Sequence, residues 1–580
     1  MRDSRDCRTS FGLLGSEKLR SGFGSIIGEA RRIGRSGSGL AFARMISTPA
    51  CVRICTHVAH RSQLVATSIA RCEDLRVAKA FTLARLSPMQ GVNVVIATGV
   101  VLALAAVCWV PHLPDSLWLD ETLTFWVIRD GLAETLERTI HYQPQPAYYI
   151  FMWFWTQIAG VSEIALRIPS LLATLAACVA LARLGTSLTR DRETGLLAAI
   201  VFASSWNVYR ESVDARSYML GVLVLLCVAL SLIRWIEEGR WRDAWLCGAL
   251  AAVLPSLHVF FVLTYPAFGL YALMRRSEAQ LNAKQVGLVG LLLLVGALLF
   301  LPVGLMLAEH GGSYSFVAAP RWRFLFEVFV WGPPVAGLLF GIGLSGMFAA
   351  RSDESSESEA GPSIGISRHA GAWLATWALL PLWTLFAVSM WTEMSIFLGR
   401  YLIPAIPAVC LFYAIVLRGI AWGPARVAAI VVIALASFVI HARPYDDFRG
   451  AALAVNGLTA GDGSTPILLA SGLIEGEDAD WLRDPTLADY LNAPAEYYPL
   501  EGQLVTLPRK LRGHPMASEI VEPVLQSANR FVAIEWYGNG AQIIPELTQR
   551  ASAAGFRVVH RGFGGVRVAI FDYEGGKRQR

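Results

Sequence analysis

Uncharged apolar runs of about twenty residues recur between residues 92 and 442, each long enough to cross a hydrocarbon core ~30 Å thick. Nothing else in the chain constrains the fold as strongly. In lipid every backbone N–H and C=O must be satisfied internally, so successive apolar runs of this length fold as packed helices. Mean hydropathy is +0.47. Only 16% of the 580 residues are charged, where a soluble chain carries roughly a quarter. The sequence therefore predicts a polytopic α-helical membrane protein.

Charge then sets orientation and excludes some partners. The net charge is +5, but residues 1–90 alone hold 15 Lys and Arg against 6 Asp and Glu, so the remainder is net acidic. Nucleic acid is not indicated as a partner. Residues 1–90 are rich in Arg, Ser and Gly and sustain no helical period. No apolar core with a cleavage site follows their charges, as a signal peptide would require. They read as a basic, disordered cytoplasmic tail, or as sequence ahead of a true start at Met89. The nine cysteines are scattered, and Cys51 and Cys55 lack the partners of a zinc site. Neither a disulfide framework nor a structural metal is expected.

The first span covers about 92–110, with the basic side inside. Residues 111–146 are then an outer loop. The segment 147–160, "AYYIFMWFWTQIAG", is apolar but short, so it reads as interfacial or re-entrant and not spanning, and extends the outer loop to 163. Further spans follow at about 164–184, 194–210, 217–236, 241–256, 258–275, 286–308, 326–349, 370–391, 401–418 and 424–442. This places Arg183, Arg190, Arg192, Arg234, Arg240, Arg242, Arg275, Arg276, Lys284 and Arg418 inside, a consistent positive-inside pattern. The expected architecture is about 11 transmembrane helices over 91–442, with an acidic inner loop at 351–369. Residues 443–580 form a small extracytoplasmic α/β domain. In it "TPILLAS", "RFVAIEW", "FRVVHR" and "VRVAIFDY" are strand-like, and "AQIIPELTQRASAAG" is an amphipathic helix ending at Gly555.

With the sides fixed, ionisable residues gather at the outer ends of helices. "SLWLDETLTFW", residues 116–126, sets Asp120 and Glu121 among Trp118, Phe125 and Trp126. "YRESVDARSYML", residues 209–220, brings Glu211, Asp214, Arg216 and Tyr218. His258 lies at the next outer turn, and "TEMSIFLGRYLIP", residues 392–404, brings Arg400 and Tyr401. Deep mid-membrane charges, the mark of ion-coupled transport, are largely missing. So are a phosphate-cradling P-loop, a dinucleotide glycine fingerprint, HExxH and GxSxG. What remains suits transfer from a lipid-borne donor: a carboxylate can take an acceptor's proton and arginines can hold a phosphate leaving group. Taken singly, each of these groups could equally be a solvated helix-end residue.

"LWLDETLTFW", "QPQPAYYIFMWFW", "SEIALRIPSLLATLAACVALARLG" and "DARSYMLGVLVLL" stand in the order and about the spacing of the polyprenol-phosphate-sugar glycosyltransferases. This is the GT-C-type superfamily that includes protein O-mannosyltransferases and the lipid A aminoarabinose transferase. The chain resembles them over about 90–240, and more faintly at "GRYLIPAIPAV", residues 399–409. The resemblance implies a multi-pass enzyme that takes a sugar from an undecaprenyl- or dolichyl-phosphate carrier on the outer face. It makes Asp120 the catalytic base, with Glu121 beside it, and matches Asp214, Arg216 and Tyr218 to the family's second-loop acid and Arg-x-Tyr.

The substrate-binding candidates are Asp214, Arg216, Tyr218, Tyr148, Tyr149, His258, Arg400 and Tyr401, with Arg216 and Arg400 favoured for the donor phosphate. Relatives commonly carry His-Pro-Pro-Leu-Tyr-Tyr where this chain runs from Gln143 to Tyr149, and His141 is displaced from that motif. The aromatic frame of Asp120 would anchor the loop at the water–lipid boundary, partly desolvate the carboxylate and offer faces to a sugar ring.

The expected partners are a polyprenyl-phosphate sugar, a glycolipid, glycan or protein acceptor, and the bilayer, in a plasma (inner) membrane setting. A single displacement would invert the anomeric centre. The sugar, the acceptor and the assistance of a divalent metal ion are left open. The alternative is a transporter or lipid-linked-sugar flippase, which needs a polar path through the middle of the spans. A non-catalytic scaffold would tolerate a neutralised Asp120.

Overall fold

The computed structural model describes residues 99, 102, 103, 106, 107 and 109–575, except 279, 281, 311–318, 328–331, 350–365, 393, 421, 441–445, 460–462, 471 and 537–542. The basic tail, most of the expected first span and most of the acidic loop at 351–369 lie outside the described residues. Residues 88–580 form one compact unit.

The continuous described part opens on the segment expected as the first outer loop. Helix α1 (Leu119–Ile128) begins where Trp118 is extended, and Glu121 reaches back one turn to accept the Trp118 backbone N–H at 3.1 Å. Asp120 and Glu121 occupy its first turn, where acids offset the helix dipole. Helix α2 (Leu132–His141) follows a turn at Gly131, whose φ of +128° suits glycine.

Helix α3 (Pro146–Ala159) starts with proline in its first turn and stops at Gly160, φ +76°. Its 14 residues are the aromatic segment expected at the membrane surface. Tyr148, Tyr149, Met152 and Thr156 face the protein, while Phe151, Phe154 and Ile158 are exposed.

Helix α4 (Glu163–Thr189) is capped by Ser162, which accepts from the Ala165 N–H at 3.3 Å. Pro169 inside it cannot donate to the Ala165 carbonyl, and the Trp155 indole N–H takes that oxygen at 2.8 Å. The surface helix is thereby tied to the first long one. Helices α5 (Arg192–Ala203), α6 (Trp206–Ser212), α7 (Tyr218–Glu238), α8 (Trp241–Leu257) and α9 (Tyr265–Met274) come next. They are followed by α10 (Ala283–His310), α11 (Gly332–Ala349), α12 (Arg368–Trp391), α13 (Ile406–Arg418) and α14 (Gly423–Ile440), with short helical turns between some of them.

Among the described residues, five helical stretches are long and apolar enough to cross a membrane: Glu163–Thr189, Tyr218–Glu238, Ala283–Leu305, Arg368–Trp391 and Gly399–Arg418. Three shorter apolar stretches, Val259–Met274, Pro334–Met347 and Gly423–Ser437, fall where spans are also expected. The expected span 194–210 is broken at Ser204 and Ser205 between α5 and α6. Beyond this break α6 carries Arg210, which lines the cavity, and Glu211, which is buried. The helix ends are pinned at the far side from the site. Arg418 Nε donates to Asp191 at 2.8 Å, and Arg426 Nε donates to Glu193 at 2.7 Å.

The C-terminal residues build a five-stranded sheet in the order β2-β1-β3-β5-β4. The strands are β1 (Pro466–Ala470), β2 (Gln503–Thr506), β3 (Arg530–Trp536), β4 (Phe556–Phe563) and β5 (Val566–Tyr573). β1 pairs in parallel with β2 and β3, whereas β5 is antiparallel to both β3 and β4. Four of these strands are the ones expected; "QLVT" at β2, with only partly buried side chains, carries no strand pattern of its own.

Alternation along the strands divides the sheet between two cores. Leu468, Phe531, Ala533 and Phe571 pack under the helices Ala517–Ser527 and Ile543–Ala553. Ile467, Leu469, Val532, Ile534, Val568 and Ile570 share a cluster with Leu119, Leu123, Trp126, Tyr148 and Tyr149. The sheet therefore rests on α1 and α3, and a cavity is lined by residues of both parts.

Candidate active site

Helix α4 holds the segments 112–121 and 214–216 with two side chains three residues apart, which a helix places on one face. Arg167 is buried and donates from every nitrogen. Its Nε reaches Glu121 Oε1 at 2.7 Å and its Nη2 reaches Glu121 Oε2 at 2.5 Å. The remaining bonds go to the carbonyls of His112, Leu113, Asp115 and Ser116 at 2.5–3.1 Å. Ser170 Oγ donates to Asp214 O at 2.6 Å and contacts Arg216 O at 3.2 Å.

The loops are also stitched to each other. Ala215 N donates to Glu121 Oε1 at 2.8 Å, and Thr124 Oγ1 donates to Ala215 O at 2.8 Å. Trp118 Nε1 donates to Asp214 Oδ1 at 2.8 Å, and Arg216 Nη1 donates to Asp120 O at 3.0 Å.

Above this framework lies a cavity of about 700 Å3. Asp120, Asp214, Arg216, His258, Arg400 and Tyr401, all expected from the sequence, line it together. They come from four segments between residues 118 and 401, and the fold brings them to one place. Arg400 and Tyr401 ride on a 3-10 turn, Gly399–Ala405, whose Pro404 carbonyl is fixed by the Trp377 indole at 2.7 Å. Arg400 Nη1 pairs with Asp120 Oδ2 at 2.6 Å, and its guanidinium lies 5.8 Å from the Trp118 ring centre and 5.5 Å from that of Tyr401.

Arg216 and Arg400 each keep a buried Nε–H that no protein acceptor meets. Burial disfavours the Arg216 charge, but Tyr149 and Asp120 outweigh it and hold the group above its ordinary range. Buried, unmatched N–H donors on two cations suit an oxyanion.

Four expected site residues do not line the cavity. Glu121 is fully buried, and its oxygens are occupied by Arg167 and the backbone N–H groups of Trp118 and Ala215. Expected beside Asp120 at the reacting centre, Glu121 instead turns its carboxylate into the protein, where it holds the loop. Tyr149 stands behind Arg216, receiving its Nη1–H at 3.3 Å and donating to Gln143 Oε1 at 3.2 Å. Tyr148 packs against Tyr149 with ring centres 5.1 Å apart. Tyr218 packs on His258, with ring centres 4.9 Å apart. His258 Nδ1 accepts from Phe260 N at 3.4 Å. Where relatives carry histidine in the proline motif, Gln143 and Gln145 line the cavity, while His141 is exposed and does not.

Other cavity residues escaped the sequence reading. Arg210 lines the wall and pairs through Nε with the buried Glu211 at 3.0 Å. Arg167 had a usable signal, a lone arginine inside an apolar run, which in a membrane helix asks for a partner. Glu475, Tyr490, Asp446 and Trp536 come from the C-terminal residues, in turns, a short helix and a strand end with no pattern to single them out. Among the described residues, no three His, Cys, Asp or Glu side chains are grouped to hold a metal ion. Glu121, with both oxygens committed to N–H donors, does not complete such a group with Asp120.

Residues 143–305 match the family described as dolichyl-phosphate-mannose-protein mannosyltransferase. The resemblance carried by the motifs is thus also a family match, over the stretch that holds Tyr149, Arg167, Asp214, Arg216 and His258. Asp120 and Arg400 lie outside it. Among solved structures, the chain is similar to ArnT from Cupriavidus metallidurans bound to undecaprenyl phosphate, at 14% identity and a TM-score of 0.49, covering 83% of this chain and 99% of that one. It is also similar to arabinofuranosyltransferase AftD from Mycobacteria, at 13% identity and a TM-score of 0.46, covering 84% of this chain and 40% of that one. No curated protein sequence matches significantly.

Proposed function

We propose that this protein is an inverting GT-C-type glycosyltransferase that moves a sugar from a polyprenyl-phosphate carrier to an acceptor on the extracytoplasmic face of the plasma (inner) membrane. One observation carries the reading. The Asp120 carboxylate and two arginines with unmatched buried N–H groups line a single cavity, next to helices apolar enough to lie in a bilayer.

The donor phosphate sits against Arg216 and Arg400, with Arg210 at the rim. The acceptor oxygen attacks the anomeric carbon and its proton passes to Asp120. The bond from that carbon to the phosphate oxygen breaks, and its electron pair leaves with the phosphate, where the guanidiniums stabilise it. Trp118 and Tyr401 offer aromatic faces to the donor, and Tyr149 steadies Arg216 from behind. Glu121, with Arg167, is a positioning residue.

The test is sugar transfer by the purified full chain in detergent, using a polyprenyl-phosphate-sugar fraction and envelope glycolipids and glycans read by intact mass. Asp120→Asn removes proton acceptance while keeping shape, and turnover should fall about 10²- to 10⁴-fold. An unchanged rate would reject the assignment. Orientation has its own test. In a background without native cysteines, Ser552→Cys on the exposed C-terminal surface should react with an impermeant maleimide in whole cells, and Ser277→Cys should not. The reverse pattern would overturn the placement of the site outside.

A further inference from the structure

The cavity has a second wall whose chemistry differs from the first. It is built from residues after 440. Glu475 sits on a 3-10 turn, Ile474–Glu477, beyond β1, Tyr490 on the helix Pro485–Leu491, and Trp536 at the end of β3. Gly472, at φ +84°, lets the chain leaving β1 pass the indole closely; a Cβ there would lie 2.7 Å from the Trp536 ring. The indole is fixed by its N–H, which donates to Asp446 Oδ2 at 2.8 Å.

Glu475 is held on one side only. Its Oε1 accepts from the Tyr490 hydroxyl at 3.2 Å, and that hydroxyl accepts in turn from Gln143 Nε2 at 2.8 Å. Its Oε2 is buried with no protein donor. Burial raises the carboxyl's pKa; a backbone bond and the Tyr490 hydroxyl pull it down, and the Asp120 charge adds to the rise. An unmet carboxyl oxygen costs free energy unless a ligand satisfies it.

Carboxyl oxygens that can span neighbouring hydroxyls, next to an aromatic face held in place, fit a sugar ring. The described lining after residue 440 carries carboxyl groups and no arginine or lysine, so it does not suit the donor phosphate, which Arg216 and Arg400 attract. Nor does it offer the row of backbone donors and acceptors that an extended peptide would use.

We infer that Glu475, Asp446 and Trp536 form the acceptor subsite, and that it takes the hydroxyls of a neutral carbohydrate. The inference rests on the transferase reading above, since that reading supplies the donor on the other wall. The acceptor hydroxyl is then presented between Glu475 and Asp120, while Trp536 supports the ring.

Full-length protein in detergent is applied to an array printed with neutral oligosaccharides and with Ser- and Thr-containing peptides, and undecaprenyl phosphate binding is read on the same samples by thermal shift. Wild-type protein should retain neutral oligosaccharides and no peptides. Glu475→Gln should weaken retention at least about tenfold, the scale of a hydrogen bond to a charged group. Trp536→Phe, which keeps a smaller ring and guards against misfolding, should weaken it less. Both variants should bind undecaprenyl phosphate as wild type does. Capture of peptides, or no oligosaccharide captured by protein that still binds undecaprenyl phosphate, would overturn the acceptor assignment. Oligosaccharide binding without undecaprenyl phosphate binding would sink the donor reading while leaving the carbohydrate wall standing.

Discussion

Two carboxylates stand side by side on the first turn of α1, and each is paired with an arginine. Asp120 faces the cavity, about one-sixth exposed, with Arg400 as its ionic partner. Glu121 has no exposure and is sealed against Arg167, which is itself 1% exposed. Successive residues on a helix point about 100° apart, so an adjacent pair cannot serve one surface. The comparison shows what each environment permits. A carboxylate that lines a cavity can meet a ligand there and take a proton from it. One saturated by four short donors inside the protein can do neither, and it fixes geometry instead.

The largest expected effect falls on the sealed side. Arg167→Met leaves Glu121 buried without its cation and frees four backbone carbonyls, so it should cost about 3–5 kcal/mol of stability. The readout is detergent thermal or denaturant unfolding, and a loss below about 1 kcal/mol would show that the pair does not organise the loop. On the cavity side, Arg216→Ala should weaken undecaprenyl phosphate binding about 10- to 100-fold, the scale of a charged hydrogen bond. Arg216→Lys keeps charge but loses the fork and should fall between that variant and wild type. Equal binding by all three would remove Arg216 from the phosphate site.

A third ion pair sets the baseline. Arg530 and Asp572 are paired at 2.5 Å across β3 and β5, but both are more than 40% exposed. Asp572→Asn should change stability by at most about 1 kcal/mol, with no effect on transfer. A larger loss would mean that exposure does not separate these pairs.

Much of the half of this site that precedes the C-terminal residues was legible in the sequence, because reading the apolar runs as spans gathers Asp120, Asp214, Arg216, His258, Arg400 and Tyr401 at helix ends expected on one side. Their convergence in a single cavity was not, since no periodicity encodes contact between residues 120 and 400. The sequence also presents Asp120 and Glu121 as one acidic unit; only the helical turn separates them. Arg167 was visible as a charge in an apolar run, yet its partner lies 46 residues away. Glu475 and Trp536 belong to turns and strand ends, where local pattern records the fold and not the ligand. The expected span 194–210 is interrupted at Ser204 and Ser205, which no local sequence pattern marks as a break.

The central claim is that the two neighbours divide their labour, and one paired measurement tests it. Turnover and thermal unfolding should be recorded together for Asp120→Asn and Glu121→Gln, using the full chain and a polyprenyl-phosphate-sugar donor. Asp120→Asn should lose about 10²- to 10⁴-fold in turnover with its unfolding temperature unchanged. Glu121→Gln should unfold at a lower temperature, and the fraction that remains folded should turn over faster than Asp120→Asn. A stable Glu121→Gln with the greater loss of turnover, beside an active Asp120→Asn, would contradict the account and move the base to Glu121.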